Sequence, residues 1–116
     1  MKEKPDFTYF NSVTGGDYNT MLEFIDIFKE QLPEFVKNFY DAIDHNDYKA
    51  VAYTAHKATS TVSIFGMTSW INKLKEIQNE IQNGVIPSNL KKIISDFEND
   101  SKEVIEFALQ YVHGLK

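Results

Sequence analysis

The run AYTAHKATSTVSIFG, residues 52–66, sets His56 among small and hydroxyl side chains. A free imidazole titrates near about 6.5, so at neutral pH most of it is uncharged and a ring nitrogen carries a lone pair able to attack an electrophile. The setting suits that role. Along a helix advancing about 100° per residue, Tyr48, Val51, Ala52, Ala55, Thr59 and Val62 face the core, and His56 stands roughly a third of a turn away, toward solvent. Ser60 lies one turn after it and Ala52 one turn before, with Lys49 and Ser63 on the same flank. Nothing bulky overhangs the ring, and hydroxyls stand where they can donate to an anion placed on it. Tyr53 and Ile64 turn outward on the adjoining strip and predict an apolar docking surface for another protein. Spacing alone does not separate this arrangement from an ordinary boundary histidine.

Composition narrows the chemistry. The chain has no cysteine, which removes disulfides, thiolate zinc sites and thiol nucleophiles. His45, His56 and His113 share no ligand-like spacing; His45 reads as a turn residue and His113 as a favourable group at a helix end, so no metal site and no cofactor are expected. No glycine-rich phosphate loop is present, and no kinase activity is expected of the chain itself. With 17 acidic residues against 12 lysines and a net charge of −5, a nucleic-acid backbone is a poor partner. The start, MKEKPDFTYF, is charged, is broken by Pro5 and holds no apolar run fit for a signal peptide or a membrane span. A cytoplasmic location follows as the expectation.

The elements that must position His56 are legible from periodicity. At 116 residues, 42% apolar, one domain with a real core is the simplest organisation. Met21, Phe24, Ile25, Phe28, Leu32, Phe35, Phe39, Ala42 and Ile43 recur at threes and fours, predicting a helix from Asp17, its N-cap, to about His45, with Pro33 a possible bend or break. DHND, residues 44–47, is a turn, and Asp47 caps the helix that bears His56, runs through Tyr48, Val51, Ala52, Ala55, Ala58, Thr59, Val62 and Phe65, and stops at Gly66. TSTVSIF would suit a strand nearly as well, but the periodicity favours helix. A further helix runs from Thr68, read as its cap, through Trp70, Ile71, Leu74, Ile77 and Ile81 to Asn83-Gly84. The last carries Leu90, Ile94, Phe97, Ser101, Val104, Ala108 and Tyr111 as a heptad seam and ends before Gly114. The prediction is an all-α fold, an antiparallel four-helix bundle closing its own core as a monomer, with Phe7, Tyr9 and Phe10 in a short N-terminal segment or extra helix over one end. A start at Met1 and an end just past a helix give the expectation of a free-standing chain.

Taken in order, GGD at residues 15–17, the run MLEFIDIFKEQLPEFVKNFYDAI, the ND turn, and AHKATSTVSIFG followed by WINKLKEIQ resemble the histidine-containing phosphotransfer (HPt) domains over nearly the whole chain. In that family the active segment reads Ala-His, then Lys and Gly three and four residues on, then small residues and a further Gly. Ala55, His56 and Gly66 match this pattern. Thr59 and Ser60 depart from it, standing where the phosphate-binding lysine and the approach-permitting glycine are usual. Lys57 is adjacent in sequence, but the helical step carries it off the face of His56.

The resemblance implies a relay protein of a two-component system. His56 would accept a phosphoryl group on Nε2 from the aspartyl phosphate of a receiver domain, hold it as a phosphoramidate and pass it to a second receiver. Thr59, Ser60 and Gln78 would surround the phosphoryl group, Gln78 because it aligns with a polar position near the reactive histidine of some members. Tyr53, Ser63, Ile64 and Gly66 would belong to the docking surface. Receiver domains of response regulators or hybrid sensor kinases are the implied partners, and they would bring Mg²⁺ with them. The missing lysine keeps a second reading open: a degenerate HPt-like module that docks on a receiver or kinase without phosphotransfer.

Overall fold

The computed structural model describes residues 3–115, which form five α-helices: α1 (Thr8–Thr14), α2 (Tyr18–Asp44), α3 (Tyr48–Ile64), α4 (Thr68–Gln82) and α5 (Leu90–His113). The fold is all-α, with no strand among the described residues. Two of the starts are set by carboxylates: Asp17 Oδ2 accepts from the Thr20 backbone N–H at 2.9 Å, and Asp47 Oδ1 from that of Ala50 at 3.1 Å. Each satisfies a donor that the first turn leaves without an intrahelical partner. Pro33 lies on the exposed side of α2 and does not divide it. TSTVSIF is helical through Ile64, in agreement with its periodicity.

α3 packs against both α2 and α4, and α2 packs against α5. This double contact widens the buried face of α3. Val51, Ala52, Ala55, Ala58, Val62 and Phe65 are buried as predicted, but so are Thr54 and Thr61, while Tyr48 and Thr59 are only half-buried. Thr61 Oγ1 reaches Gln31 Oε1 on α2 at 2.8 Å, which explains a hydroxyl on that inner face. On α5 the seam drifts: Ile94, Phe97, Val104 and Ala108 are buried, but at the end Val112 is fully buried and Tyr111 is not. A straight helix advances 3.6 residues per turn, so a strict heptad line rotates off the core by about 20° per repeat.

The N-terminal segment closes one end. Phe10 on α1 is fully buried, and its ring lies 5.5 Å from that of Phe65. Phe7 stacks on Tyr111 at 4.7 Å between centroids, and the Asn11 side-chain amide donates to the Tyr111 hydroxyl. Ahead of α1, the Asp6 N–H donates to the Phe65 carbonyl at 3.0 Å. The Glu3 carboxylate accepts from the Ser69 N–H at 2.9 and 3.1 Å. Thr68 is therefore not the cap of α4. It is the first helical residue, Met67 occupies the N-cap position without a side-chain bond, and Glu3 caps from outside the helix. No helix among the described residues is long and apolar enough to cross a membrane.

Candidate functional site

Small side chains on the inner face of α3, with Ala55 and Ala58 fully buried, let α4 lie close along it. On α4, Leu74 and Ile77 are buried, so the next residue, Gln78, comes to the edge of the helix contact and is half-buried. From that edge its side-chain amide Nε2 stands 3.5 Å from Nδ1 of the exposed His56, at the outer limit of a hydrogen bond. Two of the residues singled out from sequence are thus brought together across 22 positions of chain.

The space in front of this pair is an open groove of about 610 Å³ between α3 and α4. Tyr48, Lys49, Ala52, Tyr53 and His56 form one wall, and Gln78, Ile81 and Gln82 the other. The groove runs from His56 toward the N-terminal half of α3. Of the expected docking residues Tyr53 lines it, with 64% of its surface exposed. Ile64 packs half-buried against the core, and Ser63 is half-buried with Oγ donating to the Thr59 carbonyl at 2.7 Å. Gly66 sits in the turn after α3 at φ +62°, where an added Cβ would come within 2.4 Å of the Asp6 carbonyl oxygen. The N-terminal segment therefore covers Gly66.

The hydroxyls differ from one another. Thr59 is half-buried, and its Oγ1 donates to the Ala55 carbonyl at 2.8 Å, which commits its one hydrogen within the helix. Ser60 is exposed, one turn beyond His56 and outside the groove. Lys57 points the other way: its Nζ lies 5.3 Å from the centre of the Tyr53 ring, and it lines a separate pocket of about 370 Å³ with Phe35, Asn38 and His45. His45 Nδ1 is 2.7 Å from the Asp41 carbonyl oxygen at the end of α2. Among the described residues no group of His, Asp and Glu side chains converges as metal ligands.

Tyr48 and Ile81, read from sequence as apolar-stripe residues, and Gln82, not singled out there, were missed as groove residues. The signal for them is helical spacing: Tyr48 lies about two turns before His56, and Ile81 and Gln82 follow Gln78 by three and four. No protein-family model, curated protein or solved structure matches the chain.

Proposed function

We propose that this chain is a histidine phosphotransfer protein of a two-component phosphorelay, with α2 to α5 arranged as an antiparallel four-helix bundle that displays His56. The observation that carries this reading is the approach of Gln78 to Nδ1, which leaves Nε2 as the ring nitrogen without a hydrogen bond among the described residues. An amide offers both a donor and an acceptor, so Gln78 can meet Nδ1 in either tautomer. With Oε1 turned to the ring it accepts from Nδ1–H, and the lone pair stays on Nε2. That nitrogen attacks the phosphorus of a receiver's aspartyl phosphate. The P–O bond to the carboxyl breaks, the carboxylate departs with the electron pair, and a P–N bond forms. A second receiver's carboxylate reverses the step.

The groove beside His56 admits the partner, and the exposed Tyr53 ring supplies apolar contact within it. In this reading the protein acts as a cytoplasmic monomer, neither binding nucleic acid nor entering a membrane, and its complexes with receivers are small and transient.

A second reading is favoured by one observation: Thr59 brings no positive charge, and its hydroxyl is bonded to Ala55. On that reading the chain docks on a receiver or kinase without accepting phosphate. Incubating wild type and His56→Gln with phosphorylated receivers of the same organism separates the two. Acid-labile, base-stable label on wild type alone supports the carrier. Binding of both forms with label on neither supports the docking module.

A further inference from the structure

We infer that Lys49 supplies the positive charge for a phosphoryl group on His56, in place of a lysine on the turn after the histidine; the inference rests on the carrier reading above. Lys49 and His56 are seven residues apart on α3, about two turns, and so lie on nearly the same face, about 10.5 Å apart along the axis. Side chains on a helix lean toward its N-terminus, so the imidazole tilts toward Lys49, whose own stem must fold back along the helix to meet it. The flexible four-carbon stem of a lysine can close much of the remaining gap.

Three further facts single out Lys49. It is the one lysine lining the His56 groove, and no carboxylate lines that groove in a chain of net charge −5. It is exposed and enters no ion pair among the described residues. The nearer candidates are engaged elsewhere, Lys57 over the Tyr53 ring and Thr59 with the Ala55 carbonyl. A dianion on His56 would face a groove in whose lining Lys49 is the one lysine, with the Gln78 and Gln82 amides on the opposite wall.

The test uses the full chain and phosphoramidate as the donor. The P–N bond of the donor breaks, ammonia leaves with the electron pair, and the phosphoryl group bonds to Nε2 while Nδ1 keeps its proton. Formation and decay of phosphohistidine are followed by ³¹P NMR for wild type, Lys49→Met, Lys49→Arg and Lys57→Met. Lys49→Met is expected to slow formation and shorten the half-life about three- to fivefold, a modest factor because the pair is solvent-exposed. Lys49→Arg should restore most of it, Lys57→Met should match wild type, and high salt should narrow the difference. Equal kinetics for wild type and Lys49→Met would overturn this inference and leave the carrier reading standing. Absence of phosphohistidine on wild type would overturn both.

Discussion

The Gln78 amide meets Nδ1 of His56 at 3.5 Å from a different helix, so the orientation of the ring depends on the packing of α4 against α3. A group that meets one imidazole nitrogen orients the ring and leaves the other nitrogen to do chemistry. Gln78→Leu removes that contact and keeps the volume. If the chain carries phosphate as proposed, the variant is expected to slow phosphohistidine formation about three- to tenfold, the equivalent of one modest hydrogen bond, with an unchanged melting temperature. A rate equal to wild type would show that Gln78 does not orient the ring.

Gly66 combines a left-handed backbone, φ +62°, with a carbonyl 2.4 Å from where a Cβ would stand. Both features oppose any side chain. Gly66→Ala is expected to cost about 2 kcal/mol or more in urea unfolding, because the clash is with backbone and cannot be relieved by a rotamer change. A loss below about 0.5 kcal/mol would mean that the N-terminal segment lifts away freely.

Glu3 accepts the Ser69 N–H at the start of α4, where Met67 offers no cap of its own. Glu3→Ala should destabilise by about 1 kcal/mol, in the range of a lost N-cap. Amide exchange should rise first in the opening turn of α4, with exchange in the middle of α2 unaffected.

Asp17 holds its carboxyl below the ordinary value of 3.8, chiefly through the Thr20 hydroxyl and then the Thr20 backbone N–H. A carboxyl whose folded pKa is depressed contributes stability that is fully present above its unfolded value and is lost as pH falls through the folded one. Stability should therefore decline as pH drops below about 4, and Asp17→Asn, which can still accept the cap bond, should flatten that decline. Asp6, lowered in the same way by Thr8, adds to the same window. Urea midpoints measured from neutral pH down to strong acid give the slope, and an identical acid slope in the variant would exclude Asp17 as a source.

Ser101 Oγ is buried between α2 and α5 with no hydrogen-bond partner among the described residues. Ser101→Ala removes an unsatisfied hydroxyl and raises helix propensity. A gain of up to about 1 kcal/mol is expected, and a loss would reveal a partner for the hydroxyl in solution.

Some of this was readable before any coordinates. The caps at Asp17 and Asp47, the stop at Asn83-Gly84 and the solvent exposure of His56 follow from interactions within a turn or two of helix, whose partners are sequence neighbours. The position of Gln78 beside His56 was anticipated only through family resemblance, since nothing local to α4 points there. Other features were beyond local reading. Thr54 and Thr61 are buried because α3 serves two neighbours, and a single periodic stripe describes only one. Val112 replaces Tyr111 in the core because about 3.6 residues per turn carry a strict heptad line off the core along α5. Glu3 caps a helix 66 residues away, and the groove opens along the N-terminal half of α3 because α4 lies beside it there. Short-range hydrogen bonding and periodicity are written into adjacent residues; which faces meet, and what stands in front of the histidine, emerges only when the helices pack.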